Sequence, residues 1–225
     1  MALNKAKTSV WVKTLIVVLI VAFISMFMYS GISGLFDLFK STGTSTATST
    51  VDPVTAINEE KQPTVDALKQ LAASEPTSYT AQVNLANAIY DWAQALSQPA
   101  SGQSQLTTAA MAAAAQQWNN ARAAYDAATK LKANDPPVQT DRSIATFYSG
   151  DTTAAVAIVR TVTTKSPTFA PAWLNLGVFY DQAGNASQAL VAYRKYVVLD
   201  PKGSNVSYAQ QRIKALGGSS ATATP

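Results

Sequence analysis

The chain has 225 residues, a net charge of +4, and neither Cys nor His. Those absences exclude disulfides, thiolate nucleophiles, Ser–His dyads and nearly all transition-metal sites. Charged residues make up only 13% of the sequence, about half the usual share, so Ser, Thr, Asn and Gln must supply much of the polar surface.

The charge is unevenly placed. Lys5, Lys7 and Lys13 precede the first apolar run with no acid among them, whereas basic and acidic residues nearly cancel from Ser41 onward. A nucleic-acid binder needs a basic patch on its folded part. No such run is present, so no nucleic-acid partner is expected.

In chain order, a basic flank (1–13) leads into Thr14 to Phe36, TLIVVLIVAFISMFMYSGISGLF, which contains no charge. A helix of that length, rising ~1.5 Å per residue, spans a ~30 Å hydrocarbon core. Trp11 and Tyr29 lie near its ends, where amphipathic rings favour the interface. A cleaved signal peptide is the alternative, but its apolar region would be shorter and followed by an Ala-x-Ala-like site. The expectation is an uncleaved single-pass anchor in the bilayer at 14–36. Its basic flank keeps the N-terminus cytoplasmic and puts the rest outside. Residues 37–55 include STGTSTATST, too poor in apolar side chains to offset ordering entropy, and read as a flexible tether. Residues 217–225 read as a similar tail.

From residue 56 to 216 the pattern is helical throughout. Ala56 to Ala73 has Val65, Leu68 and Leu71 at helical spacing. Tyr79 to Leu96 follows, then an inserted loop, SQPASGQSQ. An Ala-rich helix runs from about Thr107 to Lys132, with Met111 and Trp118 as its bulky contacts. Arg122 and Asp126, four apart, read as a weak surface pair on that helix. Next come Pro137 to Pro167, with Gly150 in the turn, then AWLNLGVFYDQAGNASQALVAYRKYVVLDP, residues 172–201. In that last stretch Trp173, Leu176 and Tyr180 share a helical face, Gly177 permits close approach, Gly184-Asn185 reverses the chain, and Pro201 ends the second helix. Gly150, Ala155 and Pro167 precede Gly184, Ala189 and Pro201 by the same interval. Val206 to Leu216 reads as a terminal cap helix.

The stretch 172–201 resembles the tetratricopeptide repeat, whose pattern is W-x2-L-G-x2-Y, A-x3-F and P. Trp173, Leu176, Gly177, Tyr180, Ala189 and Pro201 match it. Tyr193 stands for Phe. Tyr196 replaces a small Ala, which suggests a looser or differently packed junction with the next helix. In the upstream unit Gln139 and Arg142 replace Trp and Leu, so Ile144, Ala145, Phe147 and Tyr148 must supply its packing. Further upstream, Leu85-Ala86 and Ile89 stand in the first helix, and Ala121, Tyr125 and Ala128 in the second. The resemblance implies an all-α solenoid of about three hairpins (79–135, 136–169, 170–203) with a covering helix at the N-terminal end and a cap at 206–216.

It also implies a concave face, lined by first helices, that binds protein or peptide. Carried over position by position, that face holds Val83, Asn84, Asn87, Tyr90 and Asp91; Thr140, Asp141, Ile144, Phe147 and Tyr148; and Leu174, Asn175, Val178, Asp181 and Gln182. Of these, Asn84, Asn87, Tyr90, Asp141, Phe147, Tyr148, Asn175 and Asp181 are the partner-binding candidates. The asparagines can donate to and accept from a peptide backbone, or simply face water. The aspartates would repel a carboxylate tail, so a neutral or basic partner with apolar side chains is expected. Trp173 and Tyr180 occupy packing positions rather than ligand positions. No acid–base pair, nucleophile elbow or phosphate loop stands out, so catalysis, cofactors and metals are not expected. Membrane-tethered members of similar layout include accessory factors for cytochrome maturation and for translocon-associated folding. The resulting expectation is a membrane-anchored adaptor that serves assembly or folding of envelope complexes. The alternative is a structural subunit packed permanently into a complex or homo-oligomer, the oligomeric state being open.

Overall fold

The computed structural model describes residues 52–217. The proposed span at 14–36, its flank 1–13, most of the tether and the tail beyond 217 lie outside the described residues. Among the described residues there are eight helices and no strand: α1 (Pro53–Ser74), α2 (Tyr79–Leu96), α3 (Thr108–Leu131), α4 (Pro136–Tyr148), α5 (Thr152–Lys165), α6 (Ala170–Gln182), α7 (Ala186–Leu199) and α8 (Val206–Ala215). None is long and apolar enough to cross a membrane.

Local chemistry sets most boundaries. Asp52, Ser78, Thr107, Asp135, Asp151 and Asn185 each accept a hydrogen bond from the backbone N–H three residues on. Each thereby satisfies a donor that the helix start leaves unpaired. Asp52 with Pro53 at the first turn starts α1 ahead of the boundary drawn at residue 56. Gly150 and Gly184 turn the chain inside their hairpins at φ of +93° and +75°, a region open to glycine at little cost.

The helices pair in order. Hairpins α2/α3, α4/α5 and α6/α7 stack through α3 on α4 and α5 on α6, while α1 covers α2 and α8 covers α7. The stacking follows a recurrence of buried side chains. Ala121, Ala155 and Ala189, thirty-four residues apart, are each 0% exposed. Tyr125, Val159 and Tyr193 repeat at the same interval, as do Ala128, Val162 and Tyr196, and all are buried. Small residues let the helices of a hairpin approach, and the larger residues one turn on fill the space that remains.

Three indoles are tied down as they pack. Trp92 donates to Asn58 Oδ1 at 3.0 Å, which fastens α1 to α2. Trp118 donates to Ser97 Oγ at 3.0 Å, anchoring the start of the long loop. Trp173 donates to the Pro167 carbonyl at 2.9 Å. The first two satisfy an indole N–H that packing would otherwise strand, while the Trp173 bond lies at the surface.

Several details depart from the sequence reading. Met111 is 51% exposed and Leu71 is 40% exposed, so neither is a main contact. Arg122 and Asp126 do not pair along α3. Asp126 accepts from Arg142 Nε of α4 at 2.6 Å, and Arg122 reaches toward Asp151 at 3.9 Å. Tyr148 is exposed, and the inner face of α4 is built from Val138, Ala145 and three buried hydroxyl residues. Thr140, Ser143 and Thr146 each donate to a carbonyl one turn back, at 2.6–2.8 Å. Their methyl and methylene groups can therefore be buried without an orphaned hydroxyl. Of the two alternatives for Tyr196, the junction is differently packed rather than looser. Tyr196 is 3% exposed and packs in the cluster that joins α7 to α8. Gly203 makes room for it, since a Cβ there would meet the Tyr196 hydroxyl at 2.6 Å and the Asp200 carboxylate closer still.

Gly177 is the tightest packing point within a helix. A Cβ there would stand 2.6 and 2.7 Å from Cδ1 and Cε1 of Tyr193, a ring that is 0% exposed and cannot swing away. Gly177→Ala is therefore expected to destabilise the fold by about 1–3 kcal/mol, read by urea unfolding followed with far-UV circular dichroism. Adding Tyr193→Phe should give no relief, because the ring and not its hydroxyl is the obstacle.

Candidate functional site

The first helices α2, α4 and α6 carry the expected concave-face positions. α4 and α6 pack directly, and Phe147 stacks on Phe179 across them at 4.5 Å between centroids. α2 and α4 have next to no direct contact. Between them stands Trp118, projecting from α3. Tyr90 of α2 meets its indole edge-on at 5.0 Å, and Tyr148 of α4 stacks on it at 4.8 Å. A bulky ring between two helices holds them apart, as its volume requires. The aromatic run continues from Tyr90 to Tyr125 on one side and from Tyr148 to Phe147 on the other. Tyr148 is 52% exposed, so one end of this run is offered to solvent.

Asp141 lies beside the run, half-buried. Among the described residues nothing donates a hydrogen bond to its carboxylate and no cation pairs with it. The adjacent Arg142 is turned away to Asp126. Burial, with the charges of Asp91 and Asp135 behind it, pushes the Asp141 carboxyl up to about 6. Burial also raises the Tyr90 and Tyr125 phenols, and Asp141 adds to both. The two carboxylates and the phenols therefore share one electrostatic neighbourhood of negative sign.

The remaining candidates fall in different places. Asn84 is exposed with its carboxamide uncommitted. Asn87 is exposed, but its Oδ1 accepts from the Tyr125 hydroxyl at 2.8 Å. Asn175 donates to the Pro171 carbonyl at 2.9 Å, leaving its oxygen available. Asp181 is engaged by the cap: Arg212 of α8 donates to it through Nε at 2.7 Å and Nη2 at 2.9 Å, and Tyr193 through its hydroxyl at 3.2 Å. The Arg212 bond, foremost, holds its carboxyl below the usual range. A forked guanidinium of this kind leaves little for a ligand. Thr140 is buried, while Leu174 and Val178 are half-buried against the last hairpin. The structure thus brings Tyr90 and Tyr148 together on Trp118, with Asn87 linked to the run through Tyr125 and Asp141 in the electrostatic neighbourhood of Tyr90. It sets Asn175 and Asp181 apart, on α6.

Two contributors lay beyond sequence reasoning. Trp118 was legible as a packing residue, but its position between two first helices was not. Arg212 sits thirty-one residues from Asp181, with no pattern to link them. A cleft of about 410 Å³ lies elsewhere, between α4 and α5 around Gln139, Arg142, Ala157 and Lys165. Among the described residues no group of three or more carboxylates comes together that could hold a metal.

A tetratricopeptide-repeat family model matches residues 147–213, from the end of α4 through α8. The fold is similar to that of MamA, at 17% identity and a TM-score of 0.55 over 73% of this chain and 82% of that one. It is also similar to TTC0263, a thermophilic tetratricopeptide-repeat protein of Thermus thermophilus, at 16% identity and a TM-score of 0.52 over 70% and 73%. No curated protein matches the sequence significantly. The tetratricopeptide-repeat family is supported by the sequence match in the C-terminal hairpins and by the fold along the stack, an all-α repeat solenoid.

The raised Asp141 carboxyl has a testable consequence. The folded chain holds this proton more tightly than the unfolded chain, so Asp141 costs stability as pH rises through about 4 to 6 and continues to cost it above. Asp141→Asn should stabilise the protein by about 1–2 kcal/mol above pH 6, the value reduced for partial solvent screening. The advantage should vanish near pH 4, when measured by urea unfolding across that range.

Proposed function

We propose that the chain is a non-catalytic adaptor that binds an extended protein segment along its first-helix face. The observation that carries this reading is the uncompensated Asp141 beside Asp91 and the exposed ring of Tyr148. A buried carboxylate without a counter-ion is costly to the fold, and a partner's Lys or Arg would offset that cost. The neighbouring rings suit an aliphatic or aromatic side chain, or the face of a guanidinium. Asn84 can pair with a peptide backbone next to them. The partner is thus read as a segment carrying a basic side chain next to an apolar one.

The same reading takes 14–36 as a bilayer anchor and the repeats as extracytoplasmic, serving assembly or folding of envelope complexes. Its support is the length and uncharged composition of that stretch and its lysine flank. The rival reading of a permanently packed subunit predicts an obligate oligomer with this face covered.

The test uses full-length protein in detergent and fluorescent peptides of three kinds: apolar–basic, apolar–neutral and acid-tailed. The apolar–basic series should bind best. Asp141→Asn and Tyr148→Ala should each weaken it about five- to tenfold, equivalent to about 1–1.4 kcal/mol. Preference for acid-tailed peptides, or indifference to both substitutions, would overturn the assignment. An oligomer that takes up no peptide would favour the subunit reading.

A further inference from the structure

The second helices differ in charge from the first. Among ionisable residues α2 and α6 each hold a single aspartate, Asp91 and Asp181, and α4 holds Asp141 with Arg142. α5 and α7 hold Arg160, Lys165, Arg194 and Lys195 with no acid at all. All four cations are exposed. Lys165 is hydrogen-bonded to Asn134, and none of the four is in an ion pair among the described residues. With Asp181 engaged by Arg212, the unpaired acid of the first helices, among the described residues, is Asp91 and Asp141, while unpaired base lies on the outer side of α5 and α7.

That outer face also carries apolar groups where water should be. On α7, Val191 is 63% exposed and Val198 is 61% exposed. Val191, Arg194, Lys195 and Val198 fall at helical positions i, i+3, i+4 and i+7, so they form one stripe. The outer face of α5 presents Ala157, Arg160, Thr161, Thr164 and Lys165, small side chains beside two cations. Lys202, exposed just beyond α7, extends the basic stripe.

Val191 borders a cleft lined by Trp173, Leu176 and Tyr180, but the stripe itself sets its valines beside Arg194 and Lys195, whereas the core of a protein interface is depleted of lysine. The stripe resembles the lipid-facing side of a helix lying in a bilayer interface. There, cations meet phosphates and short apolar side chains reach the acyl boundary. The layout of the chain supplies proximity. If 14–36 spans a bilayer, only residues 37–51 separate it from the first described residue.

We infer that the outer face of α5 and α7 lies on an anionic lipid surface, with Arg160, Lys165, Arg194 and Lys195 at headgroup phosphates and Val191 and Val198 at the acyl boundary. This placement goes beyond the peptide-binding reading, and it rests on the part of the proposed function that takes 14–36 as a bilayer anchor. It turns the first-helix face away from the bilayer, open to a partner.

Because the chain has no Cys, single labels can be placed cleanly. Val198→Cys and Thr161→Cys report on the outer face and Asn84→Cys on the first-helix face, each carrying an environment-sensitive fluorophore. The full-length protein is reconstituted into vesicles of phosphatidylcholine, with or without phosphatidylglycerol, containing a doxyl-lipid quencher. The labels at 198 and 161 should be quenched severalfold more in phosphatidylglycerol vesicles than in neutral ones, and the label at 84 in neither. Arg194→Glu with Lys195→Glu, or high salt, should abolish the difference. Equal quenching in both lipids, or quenching at 84 to match that at 198, would overturn the inference. So would protection of the 198 label in detergent at the mass of a dimer, which would assign the face to a second copy.

Discussion

A helical hairpin cannot hide its apolar side by itself, and the whole molecule is organised around that constraint. Each hairpin here closes through a fully buried alanine in its second helix: Ala121, Ala155 or Ala189. Each then offers its remaining apolar face to the next hairpin. Stability in such an array is close to a sum over nearest neighbours, so the ends need separate treatment. At one end α1 is pinned by the bond between Asn58 and Trp92. At the other, α8 is pinned by Arg212 on Asp181 and by Ile213, which is 2% exposed. Carboxylates on successive first helices thus have different duties along the stack. Asp181 is spent on the cap, and Asp141, one hairpin earlier, has no such partner.

The joints between hairpins are not equivalent, and the differences follow from side-chain volume. Between the second and third hairpins, Phe147 and Phe179 lie flat against each other and the first helices touch. Between the first and second, Trp118 occupies the gap with Tyr90 and Tyr148 on it. The first hairpin also carries a long loop between its helices and a longer second helix, so its geometry is less constrained to the common repeat. The consequence is a local opening in the first-helix face where rings and carboxylates meet solvent. That opening straddles residue 147, where the family match begins: Tyr90, Trp118 and Asp141 precede it and Tyr148 lies just inside it. The most regular part of the chain supplies rigidity, and the least regular part supplies the candidate site.

How much of this was legible in sequence depended on the range of the interaction. Helix boundaries were readable because caps and prolines act within one turn. The stacking was readable because volumes recur at a constant interval, as with Gly150 and Gly184. Pairings across helices were not readable. Arg122 and Asp126 sit at ideal spacing on α3, yet each faces the next hairpin, because the charge on a neighbouring helix is nearer than the one along the same helix. The buried face of α4 was hidden for a related reason. Thr140, Ser143 and Thr146 look like surface residues until their hydroxyls are seen bonded back to the helix. The site candidates shared this limit. Their face was assigned by repeat position, whereas which of them were already engaged depended on residues such as Arg212 and Tyr125 in other helices.

Polarity of the stack ties the two faces together. Acid on the first helices and base on the outer side of α5 and α7 give the C-terminal half a direction, and such a field orients a molecule near any charged surface. With few charges in the sequence, each unpaired one contributes more to that field, because there is little opposite charge nearby to offset it. Local ion pairs consume Arg122, Arg142, Asp126 and Arg212 in holding helices together. Among the charges outside those pairs, Asp141 lies on the first-helix face and Arg160, Arg194 and Lys195 lie on the back. A surface selected only for solubility would intersperse its signs. Segregation by helix type instead leaves one face suited to cationic partners and the opposite face suited to anionic ones, so both can be occupied at once without competing for the same residues.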